Sequence, residues 1–207
     1  MKKIVLEYKE SAKALIDGAE ELFAAYGYEG TSLRMIGDLV NMNPAAINYY
    51  FGSKEELYNE LFQLRIQMIN NKLSKIASME IDEIGKLLSF FAVYIENVEQ
   101  YKNFHRILFR EICLLSHSSQ TKRMVAASTR IHFELLKNII EAGIKKGVLK
   151  KINAAFFTLN VFMLVIPLTF KNPFLEELYC EEGEKKALTD QLTDYFHAII
   201  LNIEHQP

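Results

Sequence analysis

Apolar positions recur along most of this chain at the three-and-four spacing of helices that bury one face. Leu15, Ile16, Ala19, Leu22, Phe23 and Tyr26 predict a first helix from about Ser11 to Tyr26, and Gly27 follows where a left-handed residue stops a helix. Thr31 and Ser32 offer hydroxyl caps to a short second helix whose inner stripe is Leu33, Ile36 and Leu39 or Val40. Asn41 stands where the next turn needs a left-handed backbone, which Asn tolerates best after Gly. Asn43-Pro44 opens a third helix, Pro44 to Tyr50, as an N-cap followed by proline in the first turn. Gly52 ends it. Ser53-Lys54-Glu55-Glu56 is a capping box for a fourth helix that continues to about Ser78 on Leu57, Leu61, Phe62, Leu64, Met68, Ile69 and Leu73.

The remainder divides into long helices near Ile81–Asn97, Gln100–Leu115, Thr121–Lys146, Asn153–Phe170 and Glu184–Asn202. Asn-Gly or Asp-Gly turns between alternating strands are not visible, so the predicted class is all-α. The expected organisation is an N-terminal three-helix helix-turn-helix domain over 1–55 and a larger helical bundle over 56–207. The boundary falls in the fourth helix, which belongs to the first part at its start and to the second at its end.

Composition narrows the function classes. Half the residues are apolar, with fourteen Phe and ten Tyr, which is ample for a core. Four Pro and nine Gly argue against long loops. Cys113 and Cys180 are too few for a disulfide framework. Cys113 and His117 sit four apart, but two ligands do not make a zinc site. With no phosphate loop, no His-Glu-x-x-His pattern and no triad context, neither a metal, a cofactor nor a catalytic residue is expected, and the chain reads as a non-enzyme. The start lacks the apolar run of a signal peptide. Ala154 to Phe170 is slightly short for a membrane span and contains Thr158, Asn160 and Pro167, so a buried helix is expected. These features fit a cytoplasmic protein with no membrane partner.

The run Thr31 to Leu57 carries the chemistry. Two short helices across a tight turn form the geometry that seats one helix in the major groove of DNA. Charge runs the other way. The net charge is −2, and residues 1–60 hold six Lys/Arg against ten Asp/Glu. Binding would therefore rest on local charges and helix ends rather than on a basic domain.

The pattern Ile16, Ala19, Leu22-Phe23, Gly27, Thr31-Ser32, Ile36, Ile47, Tyr49, Phe51 and Ser53-Lys54-Glu55-Glu56-Leu57 resembles the TetR/AcrR family of bacterial repressors. The resemblance covers about the first sixty residues. It departs at Asn41, where the family usually has Gly, and at Asn48, where it often has Tyr. It implies that the third helix enters the major groove. That helix has no Arg or Lys, although Arg to guanine is the commonest specific contact. Asn48 can bond adenine bidentately, and Pro44, Ala45 and Ala46 can pack on thymine methyls, so A·T content is expected in the contacted bases. Asn43 is a further base-reading candidate beside its cap role. Thr31, Ser32, Tyr49 and Lys54 are candidate phosphate contacts that position rather than specify, and Arg34 can add charge.

The resemblance also implies a homodimer whose last two long helices pair with their mates. Phe156, Leu159, Phe162, Met163, Ile166, Leu192, Phe196, Ile199 and Ile203 are the expected interface residues. Phe91, Tyr94, Tyr101, Phe104, Phe109, Cys113, Phe133 and Phe162 are the expected lining of a pocket for a small apolar or aromatic effector. Glu111, His105 and His132 are the polar groups that can point inward. The expected partners are thus operator DNA, the effector and a second copy. The expected function is a ligand-responsive regulator, most readily a repressor. The competing reading is an apolar-ligand carrier or helical enzyme with a vestigial helix-turn-helix.

Overall fold

The computed structural model describes residues 2–114, 119–168 and 188–201. Among them the chain forms nine helices: α1 (Lys2–Gly30), α2 (Leu33–Leu39), α3 (Pro44–Phe51), α4 (Lys54–Ala77), α5 (Glu83–Gln100), α6 (Lys102–Leu114), α7 (Ser119–Lys145), α8 (Ala154–Leu168) and α9 (Leu188–Ile200). The all-α expectation holds. α1 starts well before Ser11, because nothing from Lys2 to Glu10 breaks a helix. Its regular course is interrupted at Gly27 (φ 77°, ψ 174°), where the sequence placed its end.

The chain separates into two compact units, one of 1–67 with 103–126 and one of 68–102 with 127–207. In the first, α1 buries Leu15, Ile16, Ala19 and Phe23 together with Ile36 of α2, Ile47 of α3 and Leu57, Leu61 and Phe62 of α4. Burying each larger apolar side chain contributes about 1.5–3 kcal/mol relative to leaving it exposed. The turn between α2 and α3 is fixed by two residues. Asn41 takes φ 55°, and Gly37 leaves room where a Cβ would come within 2.5 Å of the Met42 carbonyl oxygen. The Met42 amide closes the turn by donating to Gly37 O at 2.8 Å.

α6 belongs to this first unit, which the 1–55 and 56–207 division does not include. Phe104 and Ile107 of α6 are buried, the Phe104 ring lies edge-on to Phe62 at 5.1 Å, and the Phe104 amide donates to Glu20 Oε1 at 3.2 Å. Arg65 of α4 donates to Glu20 Oε2 at 2.7 Å and to Asp17 Oδ1 at 2.8 Å. Burial pushes the Glu20 carboxyl above its usual range, with the Arg65 guanidinium opposing the shift.

The second unit is built on Leu87, Phe90, Phe91, Tyr94, Ile95 and Val98 of α5 with Leu136, Ile139 and Ile140 of α7, Phe157, Val161 and Val165 of α8, and Phe196 and Ile200 of α9. Gly147 ends α7 with φ 74°. The segment after it is pinned by Lys150 N donating to Ile200 O at 2.9 Å. α8 is apolar nearly all round, yet Phe156, Leu159 and Met163 are exposed by 64, 49 and 50%. No described helix is long and apolar enough to cross a membrane.

Candidate nucleic-acid interface

The first unit presents α3 to solvent. Asn43 caps the helix by accepting from Ala45 N at 2.8 Å through Oδ1, which leaves its side-chain NH2 to face outward. Ile47 anchors the inner side with no exposure. The opposite side carries Ala45, Asn48 and Tyr49, all exposed, with Pro44 and Ala46 half-buried at its margin. Tyr49 is 78% exposed, and its ring meets the edge of Tyr50 at 5.5 Å. Tyr50 and Phe51 are half-buried. Beside this face, Ser32 caps α2 by accepting from Met35 N at 3.2 Å and keeps an exposed hydroxyl. Arg34 reaches Asp38 at 3.9 Å with both side chains largely exposed. Such a pair holds its members weakly, so the guanidinium can turn to a phosphate.

Two residues expected to contact phosphate are engaged in the scaffold. Thr31 is 1% exposed, and its hydroxyl lies 2.7 Å from Gly27 O and 3.1 Å from Leu22 O. The break at Gly27 orphans carbonyls at the end of α1, and Thr31 donates to them. Lys54 Nζ donates to Tyr28 O at 2.9 Å and Thr31 O at 3.0 Å and sits 4.2 Å from the Tyr28 ring centroid. Two of its three N–H groups are committed to carbonyls, so Lys54 braces the α1–α2 junction against α4. The Gly27 signal was present in the sequence; that the junction's carbonyls would be met by Thr31 and Lys54 was not.

Residues on α6 extend this scaffold. Arg110 donates to Phe23 O at 3.2 Å and Ala24 O at 3.3 Å, a cationic cap on carbonyls near the break in α1. Glu111 is 7% exposed, and its Oε1 accepts from the Tyr58 hydroxyl at 2.8 Å. Burial, then the bond to Glu111, pushes the Tyr58 phenol far above its ordinary range. The Tyr58 ring packs edge-on against Phe23 and Tyr28, both at 4.9 Å. A continuous path therefore runs Glu111, Tyr58, Tyr28, Lys54, Thr31 to the start of α2. The sequence named Glu111 among the groups that can point inward but offered no partner for it, because Tyr58 lies 53 positions away.

The expected effector lining divides between the units. Phe104 is packed on Phe62 in the first unit, where it is buried as core. Phe109, also on α6, is half-buried. In the second unit Tyr94 and Phe162 are 5.1 Å apart and Phe133 and Phe162 6.5 Å apart, while Tyr101 is half-buried. Phe91 is committed to a stack on Phe196 at 5.1 Å. His132, buried on α7, bonds Asn70 Oδ1 at 2.6 Å, and Ser128 Oγ donates to the same oxygen at 3.1 Å. Burial lowers the His132 pKa to about 4.

Of the expected interface residues, Phe156, Leu159 and Met163 are exposed, and Phe162 and Ile199 half-buried. Phe196 has no exposed surface. Its ring is used on Phe91 and Phe157 inside the unit, which removes it from any partner-facing surface. Ile203 and the side chains of Cys113, Ile166 and Leu192 lie outside the described residues. No group of three or more His, Cys, Asp or Glu that could hold a metal ion occurs among the described residues.

Residues 15–61 match the family model for bacterial regulatory proteins of the tetR family. The chain is 22% identical over 163 residues to the HTH-type transcriptional regulator YhgD of Bacillus subtilis, covering 74% of this chain and 81% of that one. It is 30% identical over 86 residues to IcaR of Staphylococcus aureus, the HTH-type negative transcriptional regulator of the biofilm operon icaADBC. That match covers 42% of this chain, which spans about half of IcaR (46%). Among solved structures, AibR in complex with isovaleryl coenzyme A and operator DNA aligns with a TM-score of 0.71 at 16% identity, over 91% of this chain and 97% of that one. This last likeness is one of fold.

Proposed function

We propose that this chain, whose residues 15–61 match the family model for bacterial regulatory proteins of the tetR family, binds DNA and acts as a homodimeric repressor released from a palindromic operator by a small apolar or aromatic effector. The observation that carries the proposal is the outward face of α3. Its cap, Asn43, and its inner anchor, Ile47, are satisfied, while Ala45, Asn48 and Tyr49 are exposed. A face so composed fits the floor of the major groove: Asn48 for adenine, Ala45 for a thymine methyl, Tyr49 for a phosphate.

Dimerisation rests on Phe156, Leu159 and Met163, which recur at one-turn spacing on α8 as an exposed apolar stripe. Two readers held by that stripe would meet half-sites about 34 Å apart or a multiple of it. The effector would lie among the aromatics of the second unit around Tyr94, Phe133 and Phe162. α4 and α7 each contribute residues to both units, and a displacement of either would reach the path from Glu111 to Thr31. By linkage, operator must weaken effector binding by the factor that effector weakens operator binding.

Selection of sites from random duplexes by the full-length chain tests the reading. It is expected to return two inverted half-sites with A·T pairs at contacted positions. A single unpaired motif would contradict the dimer, and G·C at every contacted position would contradict the base assignments. Replacing Asn48 with Ala should cost about 1–3 kcal/mol at its own base pair and relax selection there only.

A further inference from the structure

We propose that the effector site admits only an uncharged molecule, and that Tyr94 selects among such molecules one carrying an oxygen acceptor, as a ketone does. The proposal rests on the reading above of Tyr94, Phe133 and Phe162 as that site and names the chemistry the site accepts. The Tyr94 ring stacks on Phe90 at 5.7 Å and meets Phe162 edge-on at 5.1 Å. Tyr94 is 5% exposed, whereas Phe133 and Phe162 are half-buried. The walls are apolar, closed over Tyr94 and less so over the other two rings.

A buried phenol ordinarily finds a partner for its hydroxyl. Tyr58 does so in the first unit, donating to Glu111 Oε1 at 2.8 Å. The Tyr94 hydroxyl makes no hydrogen bond among the described residues, and burial alone pushes its phenol above the usual range. A donor held in this way calls for an acceptor that the fold does not supply. Thr158, Ser128 and His132, also buried in this unit, do have partners. Thr158 donates to Ala154 O at 2.8 Å, and Ser128 and His132 share Asn70 Oδ1.

Charge is excluded on separate grounds. Among the described residues of the second unit, the buried polar side chains besides Tyr94 are Glu83, Asn97, Ser128, His132 and Thr158. Of these only Glu83 is ionised, and Lys146 pairs with it at 2.7 Å. Glu83 opens α5, about 16 Å along the helix from Tyr94. Beside Phe133, Glu134 and Lys137 lie 2.6 Å apart and offset each other. His132 stays neutral down to about pH 4. An ionic ligand would therefore lose its water without gaining a counter-charge, which costs far more than burying a neutral polar group.

Calorimetric titration of the full-length chain with probes on one phenylbutyl skeleton tests this: 4-phenylbutan-2-one, butylbenzene, 4-phenylbutanoate and 4-phenylbutylamine. The ketone is expected to saturate a single site per chain. Butylbenzene should bind there roughly fivefold more weakly for want of one hydrogen bond, and the carboxylate and the ammonium about tenfold or more below butylbenzene. Tyr94→Phe keeps the ring, so it should leave butylbenzene affinity and the urea midpoint of the free chain unchanged while erasing the ketone's advantage. Equal or tighter binding of either ion, a ketone preference that survives Tyr94→Phe, or a lowered urea midpoint in that variant would each overturn the proposal. Butylbenzene binding as tightly as the ketone would overturn it and leave the aromatic effector site standing. Absence of saturable binding by both neutral probes would overturn the two together. The titration contains no DNA, so these outcomes are distinct from failure of the repressor reading.

Discussion

Lys54 shows how a residue's neighbours decide its work. Its position in the capping box suggested a phosphate contact, but Tyr28 O and Thr31 O take two of its N–H groups. Lys54→Met should therefore weaken operator binding by loosening the α1–α2 junction while leaving the slope of log affinity against log salt nearly unchanged. Arg34→Ala should instead make that slope shallower by about one, as expected for one lost phosphate contact. Fluorescence anisotropy over a salt series separates the two. His132 is the second residue whose environment sets its chemistry. Buried and bonded to Asn70, it stays neutral in the fold to about pH 4, while the unfolded chain binds the proton below about 6.5. Its pKa is depressed on folding, so its contribution is complete above about pH 6.5 and is lost as pH falls toward 4. The loss is on the order of 3 kcal/mol. Urea unfolding at pH 7.5 and pH 5 should show about 2 kcal/mol of this loss, and His132→Gln should flatten the difference.

At the level of elements, periodicity and caps carried most of the fold. The predicted Thr121–Lys146 helix is observed as Ser119–Lys145 and the predicted Asn153–Phe170 helix as Ala154–Leu168, because Gly147 and Asn153 mark their ends locally. Asn41 took the left-handed backbone assigned to it. What was not legible depends on distant partners. Nothing near Glu111 announces Tyr58, nothing near Arg110 announces the carbonyls of Phe23 and Ala24, and nothing in α6 says that it packs with α1. The candidate site split the same way. The outward face of α3 was implied by the family resemblance and is exposed in the structure, whereas the bonds that engage Thr31 and Lys54 in the scaffold lie between residues distant in sequence. The Tyr58–Glu111 bond ties α4 to α6, and its removal has a defined consequence. Tyr58→Phe strips a buried carboxylate of its donor and should destabilise the fold by about 1–3 kcal/mol, read by chemical denaturation.

For the whole molecule, the first unit joins an acidic charge balance to a groove-reading geometry. Six basic against ten acidic residues in 1–60 leave little non-specific attraction to DNA, so the proposed repressor would draw its affinity from two readers acting together. Phe156→Glu with Met163→Glu places charge in the exposed stripe of α8. Sedimentation should then report a monomer, and operator affinity should fall while the helical content is kept. The central claim is specific, paired reading of DNA by a helix without a basic residue. An anisotropy titration of the duplex upstream of the chain's own coding sequence, against a scrambled duplex at the same salt, tests it most directly. The account predicts saturation at two chains per duplex and at least about 10³-fold preference over the scrambled sequence. Equal affinity for both duplexes, or saturation at one chain, would contradict it.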